Sequence, residues 1–366
     1  MKKALLYFGI ALLFSLSSIA VLASDGESQG HEEKEFNVSE MIMHHVKDAH
    51  EWHLWGPEHG GTTIYLPVIL ITEDGIKTFS SSHFYEGELI HDNENHYIKG
   101  AGAAEGFGMF HEKIYELDRH GKLHFENGHV HGNLKPYDFS ITKNVTSLII
   151  GSFLVFIIMF SCARFYKNHG SVAPKGIAKF MEPIIVFIQD DIAKANINEK
   201  KYKKFVPYLL TIFFFIWINN LLGLIPIFPG SANLTGNITI TLFLASLTLI
   251  LTLVNGNKNY WSHIFSPPGV PKALLPIMIP IEIVGIFTKP FALMIRLFAN
   301  ITAGHIVILA LISLIFINKH VAWGALSVPM ALFISVLELL VAALQAYLFA
   351  LLSALFIGAA VEEAHH

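Results

Sequence analysis

The stretch of sequence that decides the fold is residues 273–317, ALLPIMIPIEIVGIFTKPFALMIRLFANITAGHIVILALISLIFI. It is apolar over more than twice the roughly 20 residues that a helix needs to cross a bilayer perpendicular to its plane. A second run of comparable length, residues 325–361, follows after a short polar segment. Such helices must tilt, bend or project beyond the membrane, and Pro276, Pro280 and Pro290 provide kink sites in the first. The two runs predict a long, tilted antiparallel helix pair.

The composition of the whole chain is that of a membrane protein. Of its 366 residues, 53% are hydrophobic and only 15% are charged, against roughly 25% charged in a typical soluble domain. Three further apolar runs, residues 145–160, 206–228 and 238–254, are each about one bilayer long. The sequence therefore predicts an all-α polytopic membrane protein with five transmembrane crossings. The single Cys162 excludes an internal disulfide and any CxxC metal site.

Charge is distributed unevenly along the chain. Residues 24–144 hold 21 acidic and 9 basic residues and 14 of the 20 histidines, whereas the remainder holds 8 acidic and 16 basic residues. Residues 1–23 have the pattern of a secretory signal peptide, an uncleaved anchor being the alternative. We expect three parts: a signal peptide at 1–23, a small acidic, His-rich extracytoplasmic domain with short β-type stretches at 24–144, and a membrane domain at 145–366.

The basic loops predict the orientation of the membrane domain. Residues 164–205 carry nine Lys or Arg and 255–272 carry two, whereas 229–237 carry none and 318–324 carry one. Because cytoplasmic loops are enriched in Lys and Arg, the first two segments are expected in the cytoplasm. Five crossings then place the C-terminus there too, which agrees with an exported N-terminal domain.

Several ionisable and amide side chains lie within the last two apolar runs. They are Glu282, Lys289, Arg296, Asn300, His305, Glu338 and Gln345. A charge at the centre of a membrane helix costs on the order of 2.5–3.5 kcal/mol, so it is retained only with partners, water or a function. Glu282, Lys289 and Arg296 share one helical face. Alanines beside Arg296 leave room on that face for a neighbouring helix to approach.

His305 is expected on the opposite face of its helix from Arg296, about 13 Å nearer the extracytoplasmic side. If Gln345 lies level with Arg296 in the helix pair, Glu338 lies near the depth of His305. A histidine and a glutamate at matching depth can pass protons, a static buried pair being the alternative. Because Glu282 lies on the cytoplasmic side, titratable groups flank Arg296 on both sides, which suits two offset proton half-pathways.

Three motifs of the chain resemble subunit a of the F-type ATP synthase membrane sector, over roughly residues 140–363. They are IRLFANITAGH at 295–305, Glu338 followed by LQAYLF at 344–349, and WINNLLGLIP at 217–226. Glu282, fourteen residues before Arg296, also fits the spacing of the family. The order and spacing of the motifs make the resemblance specific.

The resemblance implies a proton-translocating stator subunit with two half-channels that load and unload a rotating c-ring. It implies as partners the c-ring, the peripheral stalk b subunits, the ATPase head through the complex, and the lipid of a bacterial inner membrane, with no nucleic acid and no cofactor. Arg296 would face the ionisable carboxylate of the ring and block direct leakage between the half-channels. Asn300 and Gln345 would hydrogen-bond near Arg296.

The resemblance also implies roles for the other polar positions. His305 and Glu338 would belong to the extracytoplasmic uptake path, and Glu282 to the cytoplasmic side. Some members of the family carry Glu where this chain has His305 and His where it has Glu338. This exchange leaves the order of proton transfer open. Some also carry a carboxylate where this chain has Gly223, so the uptake path here is expected to rely on Asn220 or water.

The histidines of the extracytoplasmic region leave three interpretations open. His44, His45, His50 and His53 lie within ten residues, and His129 and His131 would share one face of a strand. Imidazoles at such spacings can bind Zn²⁺ or Cu²⁺. We favour a solvated acidic surface without a common metal centre. The third interpretation is a surface that buffers protons near the channel mouth.

A different class of function is a secondary transporter or metal exporter whose His-rich domain delivers a cation. Such transporters are commonly built from repeats with corresponding broken helices, and the sequence shows no convincing internal repeat. An independent enzyme is disfavoured because the P-loop, H-E-x-x-H and G-x-S-x-G motifs are absent from the sequence. ATP chemistry is therefore expected on partner subunits.

Overall fold

The computed structural model describes residues 42, 47–55, 62–92, 95–170, 172–225, 230, 232–266 and 271–362. The expected signal peptide at 1–23, and the histidines at 44 and 45, lie outside the described residues. The described part consists of short strands up to residue 138, followed by helices from residue 143 onward.

The region before residue 143 is built from short antiparallel strands. They are β1 (Glu51–Trp55), β2 (Thr62–Tyr65), β3 (Pro67–Thr72), β4 (Gly75–Ser80), β5 (Glu88–Asp92), β6 (Asn95–Lys99), β7 (Phe107–Phe110), β8 (Lys113–Glu116), β9 (Phe125–Glu126), β10 (His129–Val130) and β11 (Tyr137–Asp138). The helical turn α1 (Ser82–Tyr85) connects β4 to β5. The strands form sheets of order β1-β2, β11-β3-β4, β5-β6-β7-β8 and β10-β9.

The core of this β-rich domain lies between the sheets and α1. Because alternate residues of a strand face opposite sides, Val68 and Leu70 of β3 are fully buried while Ile71 is exposed. Phe79 of β4 and Phe84 of α1 complete the contact. The short β-type stretches expected from the sequence therefore form a packed domain.

Seven helices longer than one turn follow in the described residues. They are α2 (Lys143–His169), α3 (Ile177–Phe187, continued by a π-helical segment at Ile188–Lys194), α4 (Tyr202–Leu224), α5 (Ile238–Val254), α6 (Lys258–Phe265), α7 (Leu275–Ile317) and α8 (Gly324–Val361). Four of these, α2, α4, α7 and α8, are long and apolar enough to cross a membrane. Helices α5 and α6 meet at a bend of 101° and count as a fifth candidate together. The described chain is thus a polytopic membrane protein with four to five candidate spans.

The prolines of the first long apolar run do not interrupt its helix. Pro276 lies in the first turn of α7, where a missing N–H costs nothing, and Pro280 and Pro290 lie within a helix that is continuous over 43 residues. At about 1.5 Å per residue, α7 is roughly twice as long as the hydrocarbon core is thick.

The β-rich domain is joined to α2 by hydrogen bonds as well as by the chain. Thr142 is the N-cap residue of α2. The Asp48 carboxylate accepts from the Thr142 hydroxyl at 2.8 Å and from the Asn144 amide at 3.0 Å, and the Lys143 amide donates to the Ala49 carbonyl. These bonds satisfy N–H groups that a helix leaves unpaired in its first turn.

A ridge of small residues on α8 brings it close to α4. Four alanines spaced four residues apart have no solvent exposure, and the ridge ends at a glycine whose added Cβ would overlap the Asn196 carbonyl oxygen. The ridge residues are Ala342, Ala346, Ala350, Ala354 and Gly358. Small residues permit close approach of membrane helices, and α8 packs against both α4 and α7.

Candidate functional site

Two contacts define the register of α7 against α8. The Nδ1 atom of His305 lies 2.7 Å from the Oε1 atom of Glu338. Toward the other end of the pair, the Lys289 ammonium lies 5.8 Å from the ring centroid of Phe356. The helices therefore run antiparallel. The expectation that His305 and Glu338 meet at one depth is confirmed.

The Glu338 carboxylate is buried between α8 and α7. Glu338 is 4% exposed, and neither of its oxygens has a hydrogen bond of good geometry among the described residues, although Oε1 is in ion-pair contact with His305. A buried charge left without hydrogen bonds is costly. Because the Glu338 oxygens lack such hydrogen bonds, their lone pairs can accept a proton or a hydrogen bond from water.

Two glycines make room for the His305–Glu338 pair. A Cβ added at Gly304 would lie 2.7 Å from Glu338 Oε1, so the carboxylate occupies the space that any other residue would fill. A Cβ added at Gly223 on α4 would lie 3.9 Å from His305 Nε2. The second ring nitrogen of His305 therefore lies beside Gly223.

Asn220 links the connection between α4 and α5 to the backbone of α8. Its amide nitrogen donates to the Ala342 carbonyl at 3.4 Å, and its amide oxygen accepts from the Thr235 hydroxyl at 2.6 Å. Asn220 and Thr235 are 3% and 1% exposed. Ala342 lies one helical turn from Glu338, so a buried line of polar groups leads from this connection toward the carboxylate.

Arg296 lies on a face of α7 that no other part of the described chain covers. It is exposed, as are the small or polar residues around it, which are Ala292, Ala299, Asn300 and Ala303. On the opposite side of the helix, Met294 and Ile301 are buried. Within the described ranges, the guanidinium has no ion-pair partner. The predicted face, a cation set among small residues, is thus an exposed face of α7 in the described chain.

The remaining predicted site residues are Gln345, Asn300 and Glu282. Gln345 is buried and Asn300 is exposed, and in the described part of the chain neither hydrogen-bonds to the Arg296 guanidinium. Glu282 is half-buried near the start of α7. It does not pair with Lys289, whose ammonium lies over Phe356 instead.

The described histidines that the sequence analysis singled out have different partners. His53 contacts the Thr63 hydroxyl, and His131 lies 3.5 Å from Glu126. His50 is buried between Glu112 and Asp138. Among the described residues, no group of three or more His, Cys, Asp or Glu side chains could hold a metal ion.

His50 is held as a cation. Burial disfavours its charged form, but the Asp138 and Glu112 carboxylates, at 3.4 Å and 3.6 Å from its two nitrogens, outweigh burial and raise the pKa of His50 to about 9. The same contact lowers the pKa of Asp138 against the opposing effect of its burial. This ion pair ties the chain near β1 to β11, close to the start of α2.

Comparison with known proteins gives matches over nearly the whole described chain. Residues 145–358 match the ATP synthase A chain family, and residues 41–139 match a domain family of unknown function, DUF8433. ATP synthase subunit a of Chlorobium phaeobacteroides (strain DSM 266) is 42% identical over 81% of this chain and 86% of its own length. Subunit a of Chloroherpeton thalassium is 44% identical, over 69% and 74% respectively. Subunit a 2 of Chlorobaculum tepidum is 47% identical, over 67% and 69%.

Proposed function

The chain belongs to the ATP synthase A chain family, and from this premise we propose that α7 and α8 provide two proton half-channels which load and unload a rotating ring of c subunits. The observation that carries the proposal is the environment of Arg296. A guanidinium without an ion-pair partner in this chain lies on an uncovered face made of small residues. Such a face suits a helix of another subunit that brings its own carboxylate.

Arg296 acts as a fixed cation in this proposal. Arginine keeps its proton in proteins, so it cannot relay one. A neighbouring cation favours the ionised form of a carboxylate, and Arg296 therefore promotes proton release from each ring carboxylate that passes it. The same charge opposes passage of a proton directly from one half-channel to the other.

His305 and Glu338 form the extracytoplasmic uptake path in this proposal. Their 2.7 Å contact permits direct proton transfer between an imidazole nitrogen and a carboxylate oxygen. Gly223 leaves space beside the other nitrogen of His305. Asn220 supplies the polar route toward the connection between α4 and α5, and Glu282 belongs to the cytoplasmic release side.

The proposed topology is based on the basic loops of the sequence and on the order of the helices. We assign five crossings, α2, α4, the α5–α6 pair, α7 and α8, the last two as a tilted pair around the ring. Residues 1–23 are assigned as a signal peptide, 24–144 as an extracytoplasmic domain and 145–366 as the membrane domain, with a cytoplasmic C-terminus. The basic loops on the side of α3 then face the cytoplasm, where the peripheral stalk b subunits and the ATPase head lie.

In the proposed complex this chain does no ATP chemistry itself, because it lacks the nucleotide-binding motifs and the head subunits carry them. The rival function, a transporter or metal exporter, is disfavoured by the family to which the chain belongs. Asn300, which is exposed, is assigned to the ring interface beside Arg296, and the buried Gln345 is assigned to hydrogen bonding near Arg296.

Disulfide cross-linking tests whether the Arg296 face meets the ring. Ala299→Cys, in a background without Cys162, is expected to cross-link to a cysteine on the outer helix of a c subunit in native membranes. Phe153→Cys on the exposed face of α2 is the matched control and is expected to give no such product. Absence of the Ala299→Cys product in complexes that retain the ring would contradict the proposal.

A further inference from the structure

We propose that His91 and His96 form a site for a tetragonal divalent transition-metal ion, Cu²⁺ above all, on the outer hairpin of the β-rich domain. The two histidines are direct cross-strand partners in the antiparallel pair of β5 and β6. Both side chains are exposed, so a hydrated ion can reach them. The proposal does not depend on the proton-translocating role of the membrane domain.

The two imidazoles already lie close enough to act as a chelate. Their Nδ1 atoms are 2.7 Å apart, and the rings meet edge to face with centroids 4.5 Å apart. Partners on adjacent antiparallel strands have their Cβ atoms about 4.5–5.5 Å apart. The strand pairing therefore holds both rings on one side of the hairpin, and little conformational entropy remains to be lost when a metal ion binds.

Two imidazole nitrogens presented side by side suit an ion that takes adjacent nitrogen ligands, as Cu²⁺ and Ni²⁺ do in tetragonal sites. Cu²⁺ also binds nitrogen ligands most strongly in the divalent series.

In the metal-free chain the two nitrogens share a hydrogen bond, one ring donating and the other accepting. Binding of a cation replaces that proton and requires both rings to turn so that their Nδ1 lone pairs point at the ion. The remaining coordination positions fall to water, because no third His, Cys, Asp or Glu of the described residues completes a metal-binding group here.

The test is Cu²⁺ titration of the full chain, purified in detergent without a polyhistidine tag. Wild type and His120→Gln, an exposed histidine of the same domain, are expected to bind the same number of equivalents. The double variant His91→Gln/His96→Gln is expected to bind one fewer. An unchanged number of equivalents in the double variant would overturn the proposal.

A second measurement needs no substitution in the hairpin. Diethyl pyrocarbonate modifies accessible imidazoles, and mass spectrometry locates each modified residue. One equivalent of Cu²⁺ is expected to protect His91 and His96 together by more than tenfold, and Zn²⁺ to protect them less, while His120 stays reactive. Unprotected His91 and His96 at saturating Cu²⁺ would be as decisive against the site as an unchanged titration.

Discussion

The Nδ1 atom of His305 lies 2.7 Å from the Oε1 atom of Glu338, and this contact joins the two longest helices of the chain at a point where both are apolar. Glu338 is almost fully buried. The contact makes each residue the electrostatic partner of the other. Proton uptake is therefore expected to depend on the pair and not on either residue alone.

Substitution of one member of the pair should slow proton uptake more than exchange of both. His305→Ala or Glu338→Ala leaves a polar group without its partner, at a cost of about 1–3 kcal/mol, which corresponds to a roughly 5- to 150-fold change in an equilibrium constant. The exchanged variant His305→Glu/Glu338→His keeps the contact and should recover much of the rate. The measurement is ATP-driven proton pumping in inverted vesicles. Equal loss in the exchanged and the single variants would count against a shared relay.

Gly304 is predicted to matter because of the space it leaves. Gly304→Ala would place a methyl group 2.7 Å from Glu338 Oε1, so the carboxylate must move and pumping should fall several-fold with the complex assembled. Gly285→Ala in the same helix is the matched control, since its Cβ would meet nothing within 4 Å. Comparable pumping by the two variants would show that the position of Glu338 is not critical.

The hydroxyl of Thr235 is predicted to fix the amide of Asn220. Thr235→Val keeps the shape but removes the 2.6 Å hydrogen bond, whereas Thr235→Ser keeps the bond. Loss of a buried hydrogen bond that leaves its partner unsatisfied costs about 1–3 kcal/mol. The expected result is slower passive proton conduction through the membrane sector for Thr235→Val alone. Similar rates for the valine and serine variants would remove Thr235 from the path.

Stability of the β-rich domain is predicted to fall as the pH rises through about 9. The pKa of His50 is raised from 6.5 to about 9 in the folded chain, so its contribution is fully present below about pH 6.5 and is lost above pH 9. A shift of this size corresponds to about 3 kcal/mol. Hydrogen exchange of the β3 and β4 amides at several pH values measures it. The pH dependence should disappear in His50→Gln and persist in the exposed-site control His120→Gln.

The membrane domain could be predicted largely from the sequence. Ile238–Val254 is helical over the predicted residues, and the two longest runs agree with α7 and α8 within two residues at each end. Apolar runs predict membrane helices well because backbone groups in lipid must be paired within the segment. The depth of Glu338 relative to His305 followed from helical rise once Gln345 was placed level with Arg296.

The features that the sequence did not predict depend on tertiary packing. The alanine ridge of α8 consists of ordinary helix-forming residues, and only its burial against α4 distinguishes it from the exposed alanines around Arg296. The role of Gly304 depends on a carboxylate from another helix. The pairing of His91 with His96 depends on hairpin register, which their spacing of five residues does not reveal.

The central claim is that Arg296 is the fixed cation that couples this chain to a rotating ring. ATP-driven proton pumping by the Arg296→Ala variant, measured in inverted vesicles with assembly checked by co-purification of the c-ring and the ATPase head, tests it most directly. The account predicts an assembled complex in which pumping is abolished. Pumping at the wild-type rate by the assembled variant would contradict it.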